Sequence, residues 1–278
     1  YETLLSASSG AMEMAARARG EDILSIMFTS GTTSVPKGVL QSERMMRNIV
    51  YSFNREIRLN PGGLQYSGAS LFHISGIGSV LHALYAGRAS LLLPQFDDSA
   101  VLAWLQRGGI TSCTLIPTMI SAILELPGAT NHRYDDLDSI LYGGAAMTPA
   151  LLRKMMATFD CDLYNGLGAG TEAGIQTILT PEDHRAAISG KEKLFSSIGQ
   201  AIRGVDLRLC DEDLNDVPRG EIGEIVTRSE TIMSGYLDQP DLTARSIVDG
   251  WFRAGDMAWM DDEGYLFLAT RKSDMIIR

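Results

Sequence analysis

The sequence has 278 residues, of which 45% are hydrophobic and 21% charged. It is therefore long enough to bury a large core and has the composition of an ordinary globular protein. Its formal net charge of −10 disfavours non-specific binding to nucleic acid or to an anionic membrane. An anionic ligand must then be held by a local site.

The cysteines and the chain ends bear on location. Cys113, Cys161 and Cys210 are far apart and lack metal-ligand spacing, and unpaired thiols are typical of an intracellular protein, so we expect a cytoplasmic location. No apolar run approaches the ~20 residues that a transmembrane helix needs, and the first residues do not resemble a signal peptide. Because the chain starts without Met and stops inside an apolar run, we expect a piece of a longer polypeptide.

The first third of the chain predicts three elements in order. An apolar run at 22–29 predicts a strand that leads into a loop. Ser42 is a candidate N-cap for the helix that follows, which "NPGG" at 60–63 is expected to end. The segment 68–87, "GASLFHISGIGSVLHALYAG", predicts a strand, a turn and an apolar helix.

Strands then alternate with helices. The segments "ASLLLP", "ITSCTLI", "LDSILYGG" and "CDLYNGLG" predict buried strands, and the stretches between them predict helices. This alternation predicts a mostly parallel sheet covered on both faces. From about residue 196, short alternating runs broken by turn residues predict a small antiparallel sheet or barrel, with a hairpin at "MDDEGYLF".

One loop carries a candidate phosphate site. In "FTSGTTSVPKGV", residues 28–39, the hydroxyls and backbone N–H groups of 29–34 can surround phosphate oxygens, and Lys37 adds a positive charge. The loop is not a Walker A motif, because Pro36 stands where that motif has its second glycine. A cluster of Ser, Thr and Gly is more often a simple loop, so this segment alone leaves both interpretations open.

Five segments in order resemble motifs of one family. They are "FTSGTTSVPKGV", "SLFHISG" at 70–76, "YGGAAMTP" at 142–149, "GAGTEAG" at 168–174, and the stretch from "GEIGEI" at 220–225 to "RKSDMI" at 271–276. Together they resemble the adenylate-forming superfamily, which includes acyl- and aryl-CoA synthetases, peptide-synthetase adenylation domains and luciferases. The resemblance implies an incomplete acyl-CoA synthetase-like N-terminal domain of the α/β class. That domain has a parallel-rich sheet flanked by helices, followed by a small antiparallel β-barrel-like subdomain.

The resemblance also implies a domain organisation. Residues 1–65 would be the remnant of a first α/β subdomain with the phosphate loop, 66–195 an α/β subdomain with the acyl and adenine pocket, and 196–270 a small β subdomain. Residues 271–278 would be the hinge to an absent C-terminal domain. In the family that domain supplies a lysine for adenylate formation and the surface that admits CoA, so we expect the fragment alone to have little activity.

The family reaction joins a carboxylate to the α-phosphorus of ATP, releases pyrophosphate and transfers the acyl group to a thiol. The resemblance therefore implies ATP/AMP, Mg²⁺ and CoA as cofactors, and a small carboxylic acid as substrate. We expect an AMP-forming acyl-CoA synthetase for fatty acids, with free CoA or a carrier-protein pantetheine as acceptor. Two alternatives stay open: an aryl-acid-activating ligase and a nucleotide-binding module without catalysis.

Site residues follow from the motifs, residue by residue. The resemblance implies that the β- and γ-phosphates are bound by Thr29, Ser30, Gly31, Thr32, Thr33 and Lys37. It implies that Thr171 binds the α-phosphate and that Glu172 binds Mg²⁺, because carboxylate oxygens suit a hard cation. It implies that the adenine is contacted by Gly143, Gly144, Ala145, Tyr164, Asn165 and Gly166, and that the ribose is bound by Asp256 and Arg271.

Two positions bear on specificity. His73 stands where amino-acid-activating domains usually have an Asp, which argues for an acid without an α-amino group and makes His73 a third candidate catalytic residue beside Thr171 and Glu172. The segment before Thr171, "NGLGAG", lacks the aromatic residue that usually stacks on adenine in this family. A lone histidine or Thr-Glu pair would more often be structural.

Overall fold

The computed structural model describes residues 18–29 and 36–271, with Arg271 described by its backbone. The strands are β1 (Ile23–Thr29), β2 (Lys37–Ser42), β3 (Leu64–Ser67), β4 (Ala89–Leu91), β5 (Ile110–Leu115), β6 (Ser139–Gly143), β7 (Asp162–Leu167), β8 (Thr177–Leu179), β9 (Gln200–Ala201), β10 (Asp206–Cys210), β11 (Gly223–Arg228), β12 (Gly235–Tyr236), β13 (Ile247–Val248), β14 (Trp251–Met260) and β15 (Leu266–Arg271). The α-helices are α1 (Glu43–Glu56), α2 (Ile74–Tyr85), α3 (Asp98–Arg107), α4 (Pro117–Glu125), α5 (Pro149–Thr158), α6 (Gly170–Ala173), α7 (Pro181–Ile188) and α8 (Pro240–Ser246).

The largest sheet has seven strands in the order β4-β3-β5-β6-β7-β8-β9. The pairs among β4, β3, β5, β6 and β7 are parallel, and β8 and β9 join antiparallel. Helices α3, α4 and α5 pack on one face over a core that includes the fully buried Ile120, Ile123 and Ile140. Burying each of these side chains stabilises the fold by about 2–3 kcal/mol. The predicted parallel-rich sheet is confirmed.

The second sheet follows the first in sequence and is antiparallel. Its order is β10-β11-β14-β13, with β15 also paired to β14. The predicted hairpin lies between β14 and β15, where Asp261 accepts hydrogen bonds from the backbone of Glu263 and Tyr265. The predicted change from an α/β region to a small antiparallel β region is therefore confirmed.

A third sheet joins distant parts of the chain. Strand β1 pairs antiparallel with β2, and β2 pairs antiparallel with β12. Residues 37–42, placed in the first predicted subdomain, thus share a sheet with Gly235 and Tyr236, placed in the third. Strand β9, near residue 200, likewise completes the large sheet. The predicted subdomain boundaries stay a prediction, but strands cross them.

One local prediction was wrong. The segment 68–87 was expected to begin with a strand, but the strand lies before it, at Leu64–Ser67. The next residues form a turn that leads into α2, in which Ser70 O accepts a hydrogen bond from His73 N at 2.9 Å. Helix α1 ends at Glu56, with Ile57 as its C-cap in extended conformation. The helix thus ends just before "NPGG" at 60–63, close to its predicted end. Its start is as predicted: the Ser42 hydroxyl accepts a hydrogen bond from Met45 N at 3.3 Å. None of the helices in the described part of the chain is long and apolar enough to span a bilayer.

Candidate functional site

The carboxyl ends of β6 and β7 form the crevice edge where open α/β sheets bind ligands. Gly143 and Gly166 are partners across this edge. A β-carbon at Gly143 would lie 2.3 Å from the Gly166 carbonyl oxygen, so only glycine fits. Gly144 and Ala145 follow on the exposed side. This edge therefore offers bare backbone, as a flat base would require.

The Thr-Glu pair lies on the short helix α6, directly after β7. Three successive carbonyls of this helix are tied to other segments. Thr171 O accepts from Gln41 Nε2 at 2.9 Å, Glu172 O from Met233 N at 2.8 Å, and Ala173 O from Thr231 Oγ1 at 2.8 Å. Strand β2 and the segment 231–236 thereby fix the position of the pair. Thr171 is buried and Glu172 is half-buried.

The phosphate-loop candidates are only partly within the described residues. Thr29 and Lys37 are paired across β1 and β2, so the ends of the loop lie side by side. The Lys37 ammonium lies 5.6 Å from the centroid of the Tyr236 ring. Ser30, Gly31, Thr32 and Thr33 lie outside the described residues. The fold thus brings Lys37 to the same side as α6 through Tyr236.

Tyr236 is a residue that sequence reasoning did not single out. Its hydroxyl donates to Glu172 Oε1 at 3.3 Å, and its side chain is 7% exposed. Burial and the Glu172 carboxylate raise the pKa of Tyr236, so the hydroxyl stays protonated and remains a donor. Its position in the stretch from 220 to 276, which resembles the family, could have singled it out. Its contact with Glu172 depends on the pairing of β2 with β12.

The two ribose candidates are brought together by strand register. Asp256 on β14 and Arg271 on β15 are direct partners. Upstream on β14, Phe252 and Ala254 pack in the same core cluster as Ala173 and Tyr236, which holds this strand beside α6. We call the set formed by the bare-backbone edge, α6 and these partners the nucleotide edge: Gly143–Ala145, Gly166, Thr171–Glu172, Lys37, Tyr236, Asp256 and Arg271.

The remaining adenine candidates, Tyr164 and Asn165, lie in different environments. Tyr164 is buried among Phe53 and Ile57, so its ring has a packing role, and its contact with adenine stays a prediction. Asn165 is half-buried, with its side chain toward the Tyr142 hydroxyl. At Gly168, in the segment that lacks the aromatic residue, a β-carbon would lie 2.0 Å from the Gly174 carbonyl oxygen, so a side chain does not fit there.

His73 caps α2. Its Nδ1 accepts from Ser75 N at 3.2 Å and lies 2.6 Å from Ser75 Oγ. The side chain is exposed. His73 is not among the residues that line the cavity described below, whereas the next residue, Ile74, is. The structure therefore shows a helix-capping role for His73, and its predicted part in substrate choice stays a prediction.

An apolar cavity opens beside α6, between α1, α2 and the large sheet. It contains about 710 Å³ of empty space, part of it open to solvent. We call it the acyl cavity, and its lining residues are Ile49, Ser52, Phe53, Glu56, Ile57, Ile74, Ser75, Gly78, Ser79, His82, Thr114, Leu141, Gly170, Gly174, Ile175, Ile178, Ile202 and Thr231. Because Gly170 and Gly174 line the cavity and flank Thr171–Glu172, the cavity adjoins the nucleotide edge.

The titratable groups of the acyl cavity are neutral or paired. His82 stacks on Phe53 with 3.6 Å between ring centroids, and burial lowers the pKa of His82 to about 3. Its imidazole is therefore uncharged at neutral pH. Of the described lining residues, Glu56 carries the one carboxylate, and it forms an ion pair with Arg203 at 3.0 Å. The cavity thus suits an uncharged, apolar group.

The residues present fit a magnesium ion that is shared with a nucleotide. Among the described residues no group of three or more His, Cys, Asp or Glu side chains could hold a metal by itself. Mg²⁺ typically binds through one or two carboxylates together with substrate phosphates. Glu172, beside Thr171 and near Lys37, provides a carboxylate of that kind.

Comparisons with known proteins agree with this geometry. A model of the family described as AMP-binding enzyme matches residues 2–237. The long-chain-fatty-acid–CoA ligase FadD13 of Mycobacterium tuberculosis is 29% identical over 272 residues, which cover 97% of this chain and 52% of the relative. The fatty acid–[acyl-carrier-protein] ligase ScoC of Streptomyces coeruleorubidus is 29% identical over 255 residues, with coverage of 90% and 48%.

A solved structure resembles the fold closely. The O-succinylbenzoate coenzyme A synthetase MenE of Bacillus subtilis, in complex with ATP and magnesium ion, has a TM-score of 0.88 and 26% identity, covering 99% of this chain and 56% of that one. The chain thus spans about half the length of the relatives that it matches. Since the family model covers most of the sequence, the chain belongs to the AMP-binding enzyme family.

Proposed function

We propose that this chain is the nucleotide- and acid-binding part of an AMP-forming acyl-CoA synthetase. The observation that carries the proposal is that Gly170 and Gly174, on either side of Thr171 and Glu172, line the acyl cavity. An acid that lay in the cavity would present its carboxylate beside the residues proposed to hold the α-phosphate. Orienting the two reactants in this way lowers the barrier of a bimolecular step.

The phosphates are proposed to lie between the loop and α6. Thr29, Ser30, Gly31, Thr32, Thr33 and Lys37 would hold the β- and γ-phosphates, and Thr171 the α-phosphate. Glu172 would hold Mg²⁺, which when bound neutralises phosphate charge and favours attack at phosphorus. The Lys37 ammonium, half-buried at the end of the loop, supports this assignment because it adds a positive charge to a chain of net charge −10.

The nucleoside is proposed to lie along the rest of the nucleotide edge. The adenine would rest on Gly143, Gly144 and Ala145, with Asn165 and Gly166 at its side. The ribose hydroxyls would bind Asp256 and Arg271, whose paired positions support a joint role. A carboxylate suits a vicinal diol, because its oxygens can accept from both hydroxyls.

The proposed substrate is a fatty acid. The apolar lining of the acyl cavity and the neutral His82 favour an uncharged chain, since the one carboxylate of the lining, that of Glu56, is already paired with Arg203. Free CoA or a carrier-protein pantetheine would accept the acyl group. We also propose a cytoplasmic location, which is supported by the free thiols of Cys113, Cys161 and Cys210.

A second candidate is an aryl acid. The stacked rings of Phe53 and His82 line the cavity, and such a surface favours a flat aromatic ring as well as a chain. The two candidates differ in the volume that they need, because a long chain fills more of the cavity, which Gly78 lines, than a single ring does.

The test is ATP–pyrophosphate exchange by the full-length protein with fatty, aryl and amino acids. We expect fatty acids to give the highest kcat/KM. Gly78→Leu would narrow the cavity and raise KM for long acids roughly tenfold or more, with KM for ATP unchanged. Preference for aryl acids would select the second candidate. Preference for amino acids would contradict both, and nucleotide binding without exchange would indicate a non-catalytic module.

A further inference from the structure

We propose that Tyr236 is a positioning residue that couples the phosphate-loop lysine to the metal-binding carboxylate. The inference rests on the proposed function, because it assigns Tyr236 to the same nucleotide edge. Tyr236 is not expected to touch the reacting atoms. Its proposed task is to orient Glu172 toward Mg²⁺ through its hydroxyl and to support Lys37 through its ring.

The hydroxyl acts on the carboxylate. It donates to Glu172 Oε1 at 3.3 Å, so it restricts the rotation of a side chain whose helix has only four residues. Met233, three residues before Tyr236, also donates its backbone N–H to Glu172 O at 2.8 Å. One segment therefore fixes both the backbone and the carboxylate of Glu172. Partners of this kind, which orient a metal ligand, typically change metal affinity 10–100-fold when removed.

The ring acts on the lysine. The Lys37 ammonium lies 5.6 Å from the ring centroid, within the range of a cation–π interaction. Lys37 is the first residue of β2 and stands at the end of the loop, so the direction of its side chain decides whether its charge reaches a phosphate. The same tyrosine thus contacts one residue proposed to bind phosphate and one proposed to bind metal.

The fold holds Tyr236 firmly enough for this task. Tyr236 pairs with Val39 across β12 and β2, and Leu237 N donates to Gly38 O at 2.7 Å. Tyr236 N donates to Thr243 Oγ1 on α8 at 2.9 Å. With backbone bonds to two elements and a buried side chain, the ring has little freedom to turn away.

Two substitutions separate the two contacts. Tyr236→Phe keeps the ring and removes the hydroxyl, so it should disturb Glu172 and spare Lys37. Tyr236→Leu removes both contacts. Tyr134→Phe is a matched control: it also deletes a buried hydroxyl that donates a hydrogen bond, to Ala129 O at 2.6 Å, but it lies in the core cluster away from the nucleotide edge.

The experiment measures binding of a non-hydrolysable ATP analogue, α,β-methylene-ATP, to the full-length protein by calorimetry, with Mg²⁺ and with EDTA. In wild type we expect Mg²⁺ to increase the affinity. Tyr236→Phe should reduce this increase roughly tenfold and leave the affinity in EDTA unchanged. Tyr236→Leu should lower the affinity in EDTA as well, by about threefold. Tyr134→Phe should behave as wild type.

A double-mutant cycle gives a second readout. If the hydroxyl acts through the carboxylate, Tyr236→Phe should have no further effect on the Mg²⁺ increase in a Glu172→Gln background. Additive effects, or a Tyr236→Phe variant with the wild-type Mg²⁺ increase, would overturn the inference and leave the proposed function standing. Absence of analogue binding by the wild type would instead contradict the proposed function itself, and this inference with it.

Discussion

The nucleotide edge and the acyl cavity are adjacent, but backbone contacts fix the position of the first, whereas side chains form most of the lining of the second. At the nucleotide edge the chain uses backbone: carbonyls of α6 accept hydrogen bonds from Gln41, Met233 and Thr231, and glycine pairs with glycine at the strand ends. The acyl cavity uses side chains from α1, α2 and the large sheet. Under the proposed function, the nucleotide would therefore lie against an edge fixed by backbone contacts, and the acid would lie in a cavity shaped by side chains.

The largest expected effect tests the nucleotide edge directly. Glu172→Gln keeps the size of the side chain and removes the charge proposed to hold Mg²⁺. We expect kcat for ATP–pyrophosphate exchange to fall roughly a hundredfold or more. Glu182→Gln, on the exposed side of α7 beside Arg185, is the matched control and should keep wild-type activity. An active Glu172→Gln enzyme would remove Glu172 from the metal site.

The same substitution made in both regions should have opposite results. Gly143→Ala places a β-carbon 2.3 Å from a backbone carbonyl that cannot turn aside, and it should destabilise the protein by about 3 kcal/mol. Gly78→Ala lies inside α2, where the nearest atom, His82 Nε2, is 3.9 Å away. It should be neutral or stabilise by up to ~1 kcal/mol. Urea unfolding of both variants checks the comparison, and equal free energies of unfolding would refute it.

A smaller effect concerns the pH dependence of the free energy of unfolding, through His82 in the acyl cavity. Burial lowers the pKa of His82 to about 3, whereas the unfolded state has a pKa of about 6.5. As the pH falls from 7 to 5, the unfolded chain takes up a proton that the folded chain does not, so the free energy of unfolding decreases. The contribution of His82 over this interval is about 2 kcal/mol.

His82→Phe isolates that contribution, because the phenyl ring can keep the stacking on Phe53. The drop in the free energy of unfolding between pH 7 and pH 5 should be smaller in the variant by about 2 kcal/mol. Between pH 7 and pH 8.5, where neither state of His82 gains a proton, variant and wild type should change in parallel. His184, also buried with a lowered pKa, should supply a pH-dependent remainder of the same sign. An unchanged drop in His82→Phe would show that His82 is charged or exposed.

The sequence predicted the architecture well where the physical signal is local. Alternating strands and helices indicated the parallel sheet, and Ser42 indicated the start of α1. The strand expected at the start of 68–87 failed because Leu71 and Phe72 lie in a turn, in which Ser70 O accepts a hydrogen bond from His73 N. The hydrophobic pattern does not encode that contact. Likewise, His73 matched a motif position, yet its imidazole caps α2.

The sequence by itself determined the family and the order of the motifs, because those depend on short segments with fixed spacing. It also predicted the residues that we propose bind phosphate, metal and ribose. Only the tertiary structure decided which distant residues meet. Pairing of β2 with β12 brings Tyr236 between Lys37 and Glu172, although about 200 positions separate the two strands in the chain. Packing of α1 against α2 likewise makes the acyl cavity, since Phe53 and His82 have no shared motif and meet only when both helices cover the same sheet.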